Sequence, residues 1–292
     1  MTDRRLLAVL LLVLTAACGG SSSAPANRFS GPEWYRDVVF YQVWVRSYAD
    51  SNGDGIGDLR GLRDRLDYIA ALGVGGLWLS PMYPTPYVDS GYDVADYTDI
   101  NPDYGTLADY DALVAAAHAR GIRVFNDLVL NHTSSEHPWF VESRASRNNP
   151  RRDWYVWADE PLYACPNAAS QAFGAERWTF DPATGQRYYH QFYPQQPDLN
   201  YWNPVVRDTM LEQVRFWLDR GTDGFRVDAI GALFEEPAST APGGKEICAD
   251  HPMTHAYLKR LRSVLDGYAE RGRCWPRRGT PVTSATGRTS FT

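Results

Sequence analysis

Apolar residues along the chain alternate between short continuous runs and helical spacing. The run from Asp37 to Val45 is rich in β-branched and aromatic residues and predicts a strand that is buried on both faces. Leucine and isoleucine then recur at three- and four-residue spacing from Leu59 to Ile69, which predicts a helix that ends at Gly73. A strand followed by a helix is the repeating unit of a parallel sheet.

The same order of strand and helix recurs further along the chain. The predicted strands are apolar runs, whereas the predicted helices begin at a capping residue and end at a glycine. These elements are a strand at 77–79, a helix from Thr106 to Gly121, a strand at 122–130, a helix from Asn203 to Gly221 and a strand at 224–228. The pattern therefore predicts the α/β class with a parallel sheet.

The glycines that end successive helices become more widely spaced. Gly73 and Gly121 are 48 residues apart, whereas Gly121 and Gly221 are 100 residues apart. The extra chain, residues 132–201, is polar, aromatic and proline-rich, and it follows the third strand. We interpret it as an inserted subdomain between two parts of a barrel, residues 34–131 and 202–270. In β/α barrels the carboxyl ends of the strands carry the active site.

Composition narrows the class of protein. The 292 residues are 44% hydrophobic and 22% charged, with a net charge of -6 and four cysteines. These values exclude a disordered chain, a collagen and a small disulfide scaffold. The mild acidity gives no basic footprint, so we expect no nucleic-acid partner.

The amino terminus has the features of an export signal. Two arginines precede a short apolar run and the small residues before Cys18, and the run is too short to cross a bilayer. We interpret residues 1–18 as a lipoprotein-type signal lipidated at Cys18, and residues 19–33 as a flexible tether. Ordinary signal cleavage and an accidental cysteine remain open alternatives. The prediction is an exported protein, either a cell-envelope lipoprotein or secreted, that meets the membrane only through Cys18.

A loop after the first strand carries an oxygen atom at every second residue. Hard cations such as Ca²⁺ need six or more oxygen ligands, and glycines let a loop wrap around the ion. An EF-hand would have a bidentate glutamate where this chain has Gly61, and a solvated turn is the alternative interpretation. The predicted structural Ca²⁺ ligands are Asp50, Asn52, Asp54, the Ile56 carbonyl and Asp58.

Polar side chains also cluster where the third and fourth predicted strands end. Asp127 and His132 end the third strand, and strand alternation places Arg226 and Asp228 of the fourth strand on one side. A guanidinium beside a carboxylate favours its ionised form, as a nucleophile requires. A structural ion pair and a histidine that only packs are the alternative interpretations.

Read together, these segments resemble the α-amylase superfamily of retaining glycoside hydrolases from about Trp34 to Asp266. Four further segments strengthen the resemblance, and the last is typical of the α-glucosidase and oligo-1,6-glucosidase branch: 80–86, 91–97, 178–190 and Gln196-Pro197-Asp198-Leu199-Asn200. The resemblance implies a (β/α)8 TIM-barrel type of fold with an insertion after strand 3. About the first four β/α units are present in this chain.

The resemblance also implies roles for the clustered residues. Asp228 would be the catalytic nucleophile and Arg226 its orienting partner, while the glucose ring would be bound by Asp93, His132, Asp127 and Tyr92. The implied activity is hydrolysis of α-glucosidic bonds in short malto-oligosaccharides by retaining double displacement. Ala229 resembles members that prefer α-1,4 linkages, whereas the α-1,6 enzymes usually carry valine at this position. A trehalose synthase-like or sucrose-acting transglycosylase is the near alternative.

The chain departs from the family pattern after Asp228. The family supplies a glutamate as general acid/base at the end of the fifth strand, and no glutamate of this chain stands at a matching strand end. Residues 271–292 are basic, rich in glycine, proline, threonine and serine, and without apolar period, so we expect a shifted reading frame or a truncated gene, with a disordered tail as the alternative. Without the glutamate, this chain could be inactive or a non-catalytic sugar-binding relative.

The cysteines agree with export. Setting aside Cys18 and Cys274 leaves Cys165 and Cys248, an even pair. We expect a disulfide between the insertion and the segment after the fourth strand.

Overall fold

A computed structural model describes residues 34–165 and 176–270. The strands of these residues are β1 (Phe40–Val43), β2 (Gly76–Leu79), β3 (Arg123–Val129), β4 (Trp157–Ala158), β5 (Trp178–Asp181), β6 (Gln186–Tyr189) and β7 (Gly224–Asp228). The main sheet has the order β1-β2-β3-β7, and each neighbouring pair is parallel. The predicted parallel sheet of four strands is confirmed.

Helices connect the parallel strands and cover the sheet. They are α1 (Leu59–Asp64), α2 (Leu66–Ala71), α3 (Leu107–His118), α4 (Pro138–Ala145), α5 (Pro204–Asp219) and α6 (Pro252–Glu270), with short 3-10 helices at Trp34–Arg36, Val45–Ser47, Arg152–Trp154 and Ile230–Ala232. The core between sheet and helices contains Leu66, Leu77, Val124, Val214 and Trp217, all buried. The fold therefore fixes the sheet ends from which the polar side chains project.

Two predicted helix starts are confirmed. The Thr106 side chain accepts from the backbone N–H of Asp109 and the Asp109 side chain accepts from the Thr106 N–H, which completes a capping box. The Asn203 side chain accepts from Val205 N–H ahead of α5. The single helix predicted over 59–73 is instead two helices, because Arg65 leaves the helical backbone region and bonds to Leu62 O at 3.0 Å.

The prediction that the first strand is buried on both faces was wrong. Val39 and Phe40 are 61% and 44% exposed, whereas Val43 is buried. Among the described strands, β1 pairs with β2 and lies at the edge of the sheet. An apolar run alone does not distinguish a central strand from an edge strand, because both satisfy the same local pattern.

The segment between β3 and α5 folds on a second, antiparallel sheet in the order β4-β6-β5. A small separate core of Ala158, Tyr163, Cys165, Trp178 and Tyr189 packs there. The predicted disulfide between Cys165 and Cys248 is present. The Glu246 carboxylate also accepts from the backbone N–H groups of Ala164 and Cys165 at 3.0 and 3.2 Å. The insertion is thus tied to the segment that follows β7.

Three interpretations concern residues that the structure does not describe. The signal with Cys18 and the tether lie in residues 1–33, and the atypical tail lies in residues 271–292, outside the described residues. Within the described ranges, the helices lack the length and apolar character needed to cross a bilayer.

Candidate active site

Two neighbouring strands bring the predicted catalytic side chains together. β3 and β7 pair in parallel with Asp127 opposite Arg226 and Val129 opposite Asp228. Side chains two residues apart on a strand share a face, so Arg226 and Asp228 project from the same side. The Arg226 Nη1 donates to Asp228 Oδ1 at 2.7 Å and to Asp127 Oδ1 at 2.9 Å. One guanidinium thus bridges two carboxyl groups at the carboxyl ends of the strands.

Two aromatic side chains complete the surroundings of Asp127. The Trp78 indole N–H and the Tyr92 hydroxyl donate to Asp127 Oδ2 at 3.1 and 3.2 Å. The guanidinium of Arg226 also lies over the Trp78 ring, 5.2 Å from its centroid. Sequence reasoning missed Trp78, although its place at the end of the predicted second strand puts it at the same sheet edge.

Burial controls the ionisation of both acids. Burial, with the nearby Asp228, raises the pKa of Asp127 to about 7 although Arg226 lowers it. Burial likewise raises the pKa of Asp228, and Arg226 only partly offsets this rise. The guanidinium favours an ionised Asp228, as expected, but burial has the larger effect on the pKa. The sequence shows the guanidinium but not the depth at which the carboxyl group is buried.

Two of the four residues predicted to bind the sugar ring, Asp93 and His132, are deeply buried. The Asp93 carboxylate accepts from the backbone N–H groups of Val88 and Asp89 at 2.9 and 3.0 Å. The His132 ring packs edge-on against Phe192, and burial lowers the pKa of His132 to about 4. His132 is therefore neutral at physiological pH. Asp93 follows Tyr92 in the chain, and His132 Nε2 lies 3.2 Å from Tyr92 O, so both buried residues lie next to Tyr92.

A buried glutamine connects these segments. Gln196 Nε2 lies 3.0 Å from Asp89 Oδ2 and 3.1 Å from His132 Nε2. Burial raises the pKa of Asp89, whose charge in turn raises that of Asp228. Sequence reasoning assigned no role to Gln196 or Asp89. For Gln196 the available signal was its position in the quoted segment Gln196-Pro197-Asp198-Leu199-Asn200, whereas Asp89 lies between two quoted segments and carried no signal.

A second pair of acids lies outside this cluster. Asn131 Nδ2 donates to Asp198 Oδ2 at 2.7 Å, and the charge of Glu235 contributes, after burial, to a raised pKa of Asp198. Burial raises the pKa of Glu235 to about 8. Asn131 Oδ1 and Glu235 Oε1 are buried without a hydrogen-bond partner among the described residues. Because Asp198 and Glu235 are far apart in sequence, no local sequence pattern predicts that they lie close together.

In the predicted cation loop, the acidic side chains accept hydrogen bonds from nearby backbone N–H groups. Asp50 accepts from the N–H groups of Gly53 and Gly55 at 2.6 and 2.8 Å, and Asp58 caps α1 through Gly61 N–H. Both glycines have positive φ, which lets the loop wrap tightly. Carboxylate, amide and carbonyl oxygens suit a hard cation. Within the described ranges, however, three or more His, Cys, Asp or Glu side chains do not converge on one metal position. The loop has the right donors without a converged site.

The strand that carries Asp228 ends abruptly. Ala229 adopts the left-handed conformation, with φ 47° and ψ 28°, and starts the short helix at Ile230–Ala232. Non-glycine residues adopt this conformation at a cost, and they concentrate at functional sites. Asp228 is thus the last side chain of the sheet at this position.

Comparison with known proteins gives a family and a set of relatives. The profile of the alpha amylase catalytic domain matches residues 42–274. Trehalose synthase/amylase TreS of Mycobacterium tuberculosis (strain ATCC 25618 / H37Rv) is 46% identical, over 85% of this chain and 40% of that protein. A probable alpha-glucosidase of Rhizobium meliloti (strain 1021) is 47% identical, over 81% of this chain and 47% of that protein.

Solved structures agree with this grouping. The crystal structure of the trehalulose synthase MutB from Pseudomonas mesoacidophila MX-45 is 40% identical, covers 80% of this chain and 43% of that chain, and superposes with a TM-score of 0.72. A MutB variant has been solved with the substrate sucrose. The predicted TIM-barrel type of fold is confirmed. The chain spans less than half the length of these relatives.

Proposed function

The chain belongs to the α-amylase catalytic-domain family, within which its relatives include α-glucosidases and trehalose synthases, and from this premise we propose that it acts on α-glucosidic bonds with Asp228 as nucleophile. The observation that carries the proposal is the bridge from Arg226 to both Asp228 and Asp127 at the strand ends. The substrate class proposed is short malto-oligosaccharides. Retaining double displacement is the proposed mechanism.

In the first step, an Asp228 oxygen attacks the anomeric carbon as the bond to the leaving oxygen breaks. Arg226 Nη1 donates to Asp228 Oδ1 at 2.7 Å, which orients the carboxylate and stabilises its negative charge. Trp78, Tyr92 and Arg226 hold Asp127 in place from three sides. Water then attacks the same carbon as its bond to the Asp228 oxygen breaks, the water gives its proton to the acid/base group, and the sugar leaves with the original configuration.

Retaining hydrolysis also needs a second carboxyl group as acid/base, about 5–5.5 Å from the nucleophile. We assign this role to no residue of this chain. Glu235 has the raised pKa of an acid, but it interacts with Asp198 rather than with the Arg226 group. Asp127 has its oxygens engaged by Trp78, Tyr92 and Arg226.

A glucosyl fluoride tests the nucleophile without a general acid. In an α-glucosyl fluoride that carries a second fluorine on the ring, the C1–F bond breaks as an Asp228 oxygen bonds to C1, and fluoride leaves as an anion without a proton. The ring fluorine slows the water attack, so a glycosyl-enzyme accumulates. Mass spectrometry should find one fluoroglucosyl group on the peptide that contains Asp228.

Matched variants make this test specific. Asp228→Asn should lose the label, whereas Asp208→Asn, at an exposed ion pair on α5, should keep it. A chain that binds maltose but takes no label would be a non-catalytic sugar-binding relative, and the proposal would be wrong.

The near alternative is transglycosylation on trehalose or sucrose. It is favoured by the 46% identity to a trehalose synthase and by the likeness to MutB, which was solved with sucrose. Incubation with maltose and with sucrose, followed by product chromatography, separates the activities. Glucose as the main product supports hydrolysis, and trehalose or a sucrose isomer supports the alternative.

We further propose that the loop from Asp50 to Asp58 binds Ca²⁺ as a structural ion. Its support is the donor set of Asp50, Asn52, Asp54, Asp58 and the Ile56 carbonyl in a glycine-rich loop. Binding would require Asp50 and Asp58 to exchange backbone hydrogen bonds for the ion. The ion would fix the loop that leads into α1.

Export and lipidation at Cys18 are proposed on the signal-like amino terminus. The Cys165–Cys248 disulfide supports an oxidising compartment. Growth with a labelled fatty acid should label the wild-type protein, and Cys18→Ala should remove the label. Label retained in that variant contradicts the anchor at Cys18.

A further inference from the structure

The side-chain amide of Gln196 has its orientation fixed from two directions. Its Oε1 accepts from Tyr193 N–H at 3.1 Å, and its Nε2 donates to Asp89 Oδ2 at 3.0 Å. Exchanging the two ends of the amide would place an N–H against an N–H and an oxygen against a carboxylate. The amide therefore cannot turn, and Gln196 is fully buried.

This orientation leaves one amide hydrogen for His132. Gln196 Nε2 carries two hydrogens, of which Asp89 accepts one, and His132 Nε2 lies 3.1 Å away on the other side. If His132 Nε2 also carried a hydrogen, two N–H bonds of about 1 Å each would point at one another and leave only about 1 Å between the hydrogens. A bare His132 Nε2 instead accepts the hydrogen bond.

A carbonyl oxygen offers the competing arrangement. Tyr92 O lies 3.2 Å from His132 Nε2, so a hydrogen on that nitrogen could be donated there. The two arrangements exclude each other, because one nitrogen of a neutral ring either donates or accepts. At 3.2 Å a bare nitrogen and a carbonyl oxygen stand at ordinary van der Waals separation. The contact with Gln196 therefore decides the tautomer.

We propose that Gln196 is a positioning residue that holds His132 in the neutral tautomer protonated at Nδ1. Asp89 orients Gln196, and Gln196 orients His132. A chain of hydrogen bonds therefore joins the loop before Tyr92, the end of the insertion and the residues that follow β3. The hydrogen on Nδ1 is buried and has no hydrogen-bond partner in the described part of the chain. An unpaired buried donor is unfavourable, and a sugar hydroxyl oxygen would satisfy it.

The proposal rests on the proposed function, because it concerns a residue that we assign to sugar binding. Its test uses no sugar. The full chain is labelled with ¹⁵N-histidine, and a two-bond ¹H–¹⁵N correlation spectrum distinguishes bare from protonated ring nitrogens. The chain has six histidines, and the signals lost in His132→Gln identify His132. The expected result is a protonated Nδ1 and a bare Nε2, and a protonated Nε2 in the wild-type protein overturns the proposal.

Two variants test the cause. In Gln196→Glu a carboxylate replaces the donor, and in Gln196→Met the donor is lost, so in both the hydrogen should move to Nε2. Gln195→Glu, an exposed neighbour with the same change of charge, should keep the wild-type tautomer. A merely structural role for Gln196 would lower the melting temperature and leave the tautomer unchanged, which would also overturn the proposal. Failure of the fluoroglucosyl label on Asp228 would leave these spectra unaffected.

Discussion

Arg226 donates to Asp228 at 2.7 Å, yet the pKa of Asp228 stays above its ordinary value because burial outweighs the guanidinium. The pair is only 17% and 16% exposed at its side chains, so water screens little of the interaction. A nucleophile of this kind depends on the arginine for the fraction that is ionised near neutral pH.

Replacing the guanidinium should therefore change both the rate of labelling and its pH dependence. In Arg226→Gln the pKa of Asp228 rises further, and we expect the rate of fluoroglucosyl labelling to fall by about 10²-fold, the size of effect seen when one preorganised donor is lost. The loss should be larger at pH 6 than at pH 8, because fewer Asp228 groups are ionised at the lower pH. Equal losses at both pH values would contradict this account. Arg220→Gln, which breaks an exposed ion pair with Asp111, serves as the control.

The buried Glu235 should make stability depend on pH. Burial raises its pKa in the folded protein to about 8 from an ordinary value of 4.5. Its contribution to stability is therefore fully present below about pH 4.5 and is lost as the pH rises toward 8. Glu235→Gln should remove more than about 1 kcal/mol of the pH-dependent change in the free energy of unfolding between pH 5 and pH 8.

Urea unfolding at both pH values, with a chelator present, measures this change. The chelator prevents a bound cation from holding the carboxyl group ionised. The exposed Glu212→Gln should keep the wild-type pH dependence. If Glu235→Gln shows the same dependence as the wild type, Glu235 does not titrate as described.

The disulfide should contribute substantially to stability. Cys165 and Cys248 are 83 residues apart, and closing a loop of this length removes unfolded-state entropy worth at most about 4–5 kcal/mol. Cys248→Ser should therefore lower the free energy of unfolding by up to that amount, measured in urea without reductant. Reductant should destabilise the wild type and leave the variant unchanged. A wild-type protein that is indifferent to reductant under conditions shown to free both thiols would refute this prediction.

Calcium should raise the melting temperature if the loop from Asp50 to Asp58 binds it. Ligand at 100 times its dissociation constant stabilises the folded state by about 2.7 kcal/mol. Asp54→Ala removes one proposed ligand, so the response to Ca²⁺ should shrink or vanish. Asp64→Ala, an exposed acid at the end of α1, should respond like the wild type. No response of the wild type to Ca²⁺ after chelation would exclude the structural ion.

Local patterns predicted the parts of the fold that depend on local physics. The Thr106 capping box depends on residues within one helical turn, and the shared face of Arg226 and Asp228 follows from the period of a strand. Because parallel strands end at one edge of a sheet, Asp127 could also be expected near that pair. These relationships were visible in the sequence for this reason.

Relationships across long sequence separations were not predictable in the same way. Asp89 and Gln196 are 107 residues apart, and the pairing of Asp198 with Glu235 depends on how the insertion docks. The exposure of Phe40 depends on the strands beside β1, which its own residues do not determine. Burial, and with it each pKa shift, is a property of the assembled molecule.

The turn at Ala229 places a steric limit on the residue that follows the nucleophile. With φ at 47°, a side chain branched at Cβ is strained against its own backbone, so valine at this position would carry a backbone cost that alanine largely avoids. The preference for α-1,4 linkages that the resemblance associates with Ala229 thus depends on the left-handed backbone conformation as well as on the size of the side chain. A substitution that changes the linkage preference here would therefore change the strain of the turn as well as the size of the residue.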